Sequence, residues 1–139
     1  MKSSIHWLML LAAALLPLGC NNNNASVGSV SGTVSYDGQP LKSGEITFLP
    51  AQGRPGYGKV VDGQIQEVTT ESAGDGAPVG TNRITITARE ESTAVAQPGQ
   101  MAAPGRSLIP ERYGDAEKSG LTADIKAGTN ELKLDLTKQ

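Results

Sequence analysis

The sequence predicts an all-β fold, an antiparallel β-sandwich of about seven strands, behind an N-terminal export segment. Three observations predict it. Short runs of Val, Ile, Leu and Phe alternate with polar residues at a period of two, the pattern of half-buried strands. Gly and Pro, seventeen and eight in 139 residues, cluster between these runs and mark turns. No stretch carries the periodicity of an amphipathic helix, so the apolar faces must bury one another as packed sheets.

The first expected strand is Val27–Tyr36, with Val30 and Val34 on one face. Asp37-Gly38 supplies turn chemistry after it. Pro40 fixes its own φ and donates no hydrogen bond, which predicts loop at that point. The second strand, 45–49, restarts the alternation with Ile46 and Phe48 inward. A slip of one residue there would expose Phe48. Residues 51–58 are rich in Gly and Pro and read as loop. Strands at 59–61 and 64–69 flank Asp62-Gly63, a strong hairpin signal. Ile65 and Val68 are three apart, which breaks the alternation; a bulge near Gln66 or Glu67 explains it, and so does a poorly defined edge strand.

A turn cluster at 71–78 precedes a strand at 79–89. There Ile84, Ile86 and Ala88 face one way and Arg83, Thr85, Thr87 and Arg89 the other. Residues 90–107 hold few large apolar side chains and predict a mobile loop, because burial there cannot offset the entropy of ordering. Leu108, Ile109 and Tyr113 regain apolar character, and strands at 121–125 and 130–136 close the chain. The folded domain is thus expected over 27–139.

The first nineteen residues read as a signal peptide: Lys2, an apolar run from Ile5 to Leu18 broken by His6 and Pro17, then Gly19. That run is shorter than the ~20 residues of a spanning helix. Leu18-Gly19-Cys20 resembles the bacterial lipobox, in which the cysteine carries diacylglycerol and an acyl chain of the palmitate type. Pro17 stands where that motif most often has Leu, with Leu16 one place further back; a plain cleaved signal and a short membrane anchor are the alternatives. Cys20 is accordingly the expected lipidation site. Residues 20–26, Asn-rich and polar, form a tether. Asn21 in place of Asp after the cysteine implies, by the sorting rule of such lipoproteins, an outer-membrane address.

Composition narrows function further. After removal of Lys2, eleven basic residues face fourteen acidic ones with no basic run, so no nucleic acid is expected. Cys20 is the sole cysteine, so no intrachain disulfide supports the fold. His6, the sole histidine, leaves with the signal, which removes Ser-His-Asp and Cys-His catalysis and the usual zinc ligands. No carboxylate spacing argues for glycosidic chemistry, so no enzyme and no cofactor are expected. Asp37-Gly38, Asp62-Gly63 and Asp75-Gly76 read as turns, since none carries the acidic ladder of a calcium loop. Arg112 and Tyr113 are candidates for a partner contact, because such residues favour interfaces; packing of Leu108, Ile109 and Tyr113 onto a sheet is the competing reading. Tyr57 and Tyr113 are the two aromatics available outside the expected strands for stacking on a sugar.

Gly32-Thr33-Val34 through Gln39-Pro40-Leu41, followed by Gly44-Glu45-Ile46-Thr47-Phe48, resembles the opening of transthyretin-like domains, also called carboxypeptidase regulatory-like domains. Asp75-Gly76-Ala77-Pro78-Val79-Gly80 before Ile84-Thr85-Ile86 resembles that family's glycine-led strand, with Asn82 where a Tyr is common. Ile109-Pro110-Glu111-Arg112-Tyr113 and the Asn130 tail are similar to small bacterial lipoproteins carrying this domain. The resemblance implies a prealbumin-like sandwich used as a non-catalytic binding or structural module. Its expected partners are the membrane, through the lipid anchor, and an envelope protein or glycan. The alternative it implies is an accessory domain docking on a polysaccharide or on a catalytic partner. The hydrolases of the family end in a Tyr-Arg-Gly-Ser motif; this chain ends Leu136-Thr137-Lys138-Gln139.

Overall fold

A computed structural model describes residues 26–92, 99 and 101–139. The expected signal segment, Cys20 and the tether up to residue 25 lie outside the described residues, as do 93–98 and 100 of the expected mobile loop. The described chain is all-β. Its strands are β1 (Val27–Tyr36), β2 (Gln39–Pro40), β3 (Ser43–Pro50), β4 (Gly56–Val61), β5 (Gln64–Thr69), β6 (Ala77–Pro78), β7 (Gly80–Thr87), β8 (Leu121–Ile125) and β9 (Gly128–Leu136). A single 3₁₀ turn, Glu111–Gly114, is the helical element among the described residues, and no helix there is long and apolar enough to cross a membrane.

The strands form one curled sheet. β5, β4, β3, β7 and β8 neighbour one another in that order, all antiparallel. β1 extends the sheet: along one edge it meets β6, β5 and β2 in turn, and along the other it meets β9. The curl turns alternate residues inward, where Val34, Ile46, Phe48, Val60, Ile84, Ile86, Ile125 and Leu136 form the core. Each such side chain contributes about 1.5–3 kcal/mol on full burial. Phe48 is fully buried between Gly56 of β4 and Ile84 of β7, the register that the alternation predicts.

Both expected turns form. Asp37 and Gly38 have φ of 48° and 78°, and Asp62 and Gly63 47° and 75°, the paired positive values of a type I′ hairpin turn. The break between Ile65 and Val68 is a bulge: the ladder runs from Lys59↔Gln66 to Tyr57↔Thr69, and Glu67 takes the extra position at φ 52°.

Several expectations are corrected. Pro40 is in a strand, because its missing N–H costs nothing in a two-residue edge segment paired to Ser35. β4 begins at Gly56, inside the stretch read as loop. Gly56 and Gly58 face inward, where a side chain at Gly58 would lie 2.9 Å from Val68 Cγ2, so glycine here makes room in a strand. The sheet also contains one parallel pair, β1 with β9, over nine positions from Gly28↔Gly128 to Tyr36↔Leu136. A parallel pair needs a long crossover, and the rest of the domain supplies it. Gly32 permits the approach: it sits at φ 148°, and any Cβ there would overlap the Leu132 carbonyl.

Two further features shape the surface. The ends of the 90–107 segment pair with each other: Glu90 N–H donates to the Arg106 carbonyl (2.9 Å), Leu108 N–H to that of Ala88 (2.8 Å), and Arg106 meets the Glu90 carboxylate at 3.1 Å. And β8 does not continue into β9 as a hairpin. The Asn130 amide occupies the place of a partner strand, accepting from Lys126 N–H (2.9 Å) and donating to the Lys126 carbonyl (2.8 Å) and that of Ser29 (3.2 Å). The chain therefore arches from β8 across to β1.

Candidate functional site

The outer face of β4, β3 and β7 carries the richest set of exposed chemistry. Strand alternation that buries Ile46, Phe48, Ile84 and Ile86 turns Glu45, Thr47, Thr85 and Thr87 the other way. The ladders then line these residues up in rows. Glu45 lies between Lys59 and Thr87; Thr47 lies between Tyr57 and Thr85. Tyr57, 58% exposed, presents its ring from a strand flanked on both sides. An open groove of about 480 Å³ runs over this face between Val61, Ser43, Glu45, Lys59, Thr87 and Arg89. A second, of about 290 Å³, adjoins it over Glu45, Thr47, Tyr57, Lys59 and Glu67.

The bulge sets the electrostatics of the second groove. It swings Glu67 toward β4, where its carboxylate accepts a 2.7 Å hydrogen bond from Lys59 Nζ. That bond, with the charge attraction, raises the Lys59 pKa and lowers that of Glu67. Arg89 donates a 3.3 Å bond to the Gly105 carbonyl at the base of the 90–107 segment. The face thus offers an aromatic ring, hydroxyls, an acceptor at Glu45 and cationic donors at Lys59 and Arg89. Such groups recognise a polar ligand. Among the described residues no three His, Cys, Asp or Glu side chains gather to hold a metal ion.

Arg112 and Tyr113 sit in the 3₁₀ turn, which borders this face at Thr87, and spend their polar groups on the chain's own end. Tyr113 is buried, 5% exposed. Its hydroxyl accepts from Thr137 N–H (2.9 Å) and Arg112 Nη2 (3.0 Å) and donates to the Thr137 carbonyl (3.2 Å). Arg112 also donates to that carbonyl at 3.0 Å and lies 4.8 Å above the Tyr113 ring centroid. Burial raises the Tyr113 pKa, but the bonds from Thr137 and Arg112 outweigh it and leave it lowered. The pair fastens the residue after β9 to the turn before β8.

The three Asp-Gly pairs divide. Asp37 and Asp62 occupy the hairpin turns. Asp75 gathers backbone donors: its carboxylate accepts from the N–H groups of Thr70 (2.7 Å), Glu71 (2.9 Å) and Ser72 (2.9 Å). Burial works against its charge, yet the three donors hold its pKa below the usual carboxylate value. Cys20 lies outside the described residues.

Sequence reasoning placed Tyr57 outside the strands and missed the role of Asn82. Tyr57 hides among Gly and Pro residues that signal loop. Asn82, fully buried, donates to the carbonyls of Pro78 (2.7 Å) and Gly80 (2.8 Å), and its Oδ1 meets no partner among the described residues. It ties down the link between β6 and β7, a use that no local pattern announces. No protein-family model, no curated protein and no solved structure matches the chain.

Proposed function

We propose that the chain is an exported, lipid-anchored protein of the cell envelope, and that its β domain is a transthyretin-like sandwich serving as a non-catalytic binding module. The observation that carries this reading is the outer face of β3, β4 and β7. Tyr57 stands exposed there beside Thr47, one row from the Glu45–Lys59 pair, on a sheet held rigid by the core beneath it. A rigid aromatic flanked by polar groups is a common anchor of recognition. Leu18-Gly19-Cys20 supports the anchor. Pairing of β1 starts at Val27, seven residues after Cys20, so the first strand begins no more than about 25 Å from an anchor there.

A second reading, an accessory domain docking on a polysaccharide, draws on the same ring, since Tyr57 offers a flat stacking surface with Glu45 and Lys59 placed to hydrogen-bond hydroxyls. One experiment separates the two. A photo-crosslinking residue is placed at Tyr57, or at exposed Gln39 as a control, in living cells. The expected result is an adduct from position 57 and none from position 39. A protein adduct supports a protein partner, and a glycan adduct supports the second reading. No adduct from position 57 overturns the assignment of this face.

A further inference from the structure

Because the Asn130 amide diverts β8 from β9, the last strand pairs with β1 alone among the described residues. Leu136 aims its carbonyl at β1, accepting from Asp37 N–H at 2.9 Å. Peptide groups alternate between the two edges of a strand. Those of Asn130, Leu132 and Leu134 therefore face β1 as well, and those of Thr129, Glu131, Lys133 and Asp135 face outward, where no ladder partner is present among the described residues. Nine residues of open edge form a template for another strand.

The side chains on that edge narrow the choice of occupant. Glu131, Lys133 and Asp135 are exposed and alternate in sign, while Leu132 between them is part of the inner layer. Consider two copies of β9 meeting antiparallel across a two-fold axis. With the axis at Lys133, Lys133 faces Lys133 and Glu131 faces Asp135, and both pairs repel. With the axis at Leu132, Glu131 of each copy faces Lys133 of the other. The outward peptide groups of Glu131 and Lys133 then exchange both hydrogen bonds, and Leu132 meets Leu132 at the axis. An edge carrying charges of a single sign would repel in every register. This one repels in one register and attracts in the next, so it selects a register.

We propose that the free edge of β9 is a self-association surface, pairing antiparallel with β9 of a second copy about an axis at Leu132. A two-strand contact is small, so the dimer is weak in solution and favoured where copies are concentrated. The test is sedimentation velocity on the full chain in detergent, over a concentration series reaching the millimolar range. The wild type is expected to shift from monomer to dimer. Lys133→Glu places like charges opposite each other and is expected to stay monomeric. Glu131→Lys combined with Lys133→Glu restores the opposite pairing in this register and is expected to restore the dimer. With the axis at Leu134 instead, Lys133 would face Asp135 and the double exchange would fail. Circular dichroism and melting temperature, expected to be unchanged for these exposed positions, separate lost pairing from lost folding. A wild type that stays monomeric throughout, a Lys133→Glu dimer as stable as the wild type, or a double exchange that fails to restore association overturns the proposal.

Discussion

Asn130 decides whether the chain makes a hairpin or an arch, and replacing it tests that role quantitatively. Asn130→Ala removes the two shortest bonds of the arch, from Lys126 N–H at 2.9 Å and to the Lys126 carbonyl at 2.8 Å. At about 1 kcal/mol net for each, the loss is about 2 kcal/mol, or a fall in Tm of about 6–12 °C for a domain of this size. Asn130→Asp goes further. It keeps an acceptor for Lys126 N–H but turns a charged oxygen toward the Lys126 and Ser29 carbonyls, where the amide donated. That contact disfavours the charged form and raises the folded pKa of the introduced carboxyl above its unfolded value of about 3.9. A raised folded pKa means that the folded state binds the extra proton first. The penalty is therefore full above the folded pKa and shrinks as pH falls through it toward the unfolded value of about 3.9. Urea denaturation of wild type and both variants, followed by circular dichroism at several pH values, measures this as a difference from wild type. If Asn130→Ala matches wild type and Asn130→Asp shows a pH-independent difference, the amide does not hold the arch.

Phe48→Ala empties the centre of the core and is expected to cost about 3–5 kcal/mol in thermal or urea denaturation; a cost near zero would contradict the burial of this ring between β4 and β7. Asp75 has a lowered folded pKa, so its stabilisation is present above the unfolded value of about 3.9 and is lost as pH falls through the folded one. Asp75→Asn should accordingly be less stable than wild type at pH 7, with the gap closing below about pH 4; a gap that widens on acidification would refute the direction. Tyr113→Phe deletes the hydroxyl shared by Thr137 and Arg112 and is expected to cost about 1–2 kcal/mol, with faster hydrogen exchange at the Thr137 amide. Unchanged exchange there would mean that this hydroxyl does not fasten the chain end.

What could be read from the sequence was local. Period-two alternation located Ile46, Phe48, Ile84 and Ile86 and set the register of β3, because one face of each strand had to be apolar. The Asp-Gly pairs announced their turns by residue type alone, and the spacing of Ile65 and Val68 exposed the bulge. The rest depended on partners distant in the chain. β2 and β6 are two-residue segments that exist because β1 runs beside them. The parallel β1–β9 pair joins the two ends of the domain, and alternation carries no information about strand direction. Gly56 and Gly58 read as loop, but their inward space is filled by neighbours distant in the chain, Thr70 and β6 at Gly56 and β3 and β5 at Gly58. That error placed Tyr57 outside the sheet, although the ring was already singled out as available for stacking. Arg112 and Tyr113 stood out by residue type, but their common partner, Thr137, lies twenty-four residues beyond Tyr113.

The central claim is that Cys20 anchors a β domain to the envelope through lipid. The most direct measurement is metabolic labelling of expressing cells with a clickable fatty-acid analogue, comparing wild type with Cys20→Ser. The expected result is label on the mature wild type, no label on the variant, and release of the variant from the membrane fraction. Equal labelling of both, or an unlabelled wild type that leaves the membrane as readily as the variant, would contradict the account.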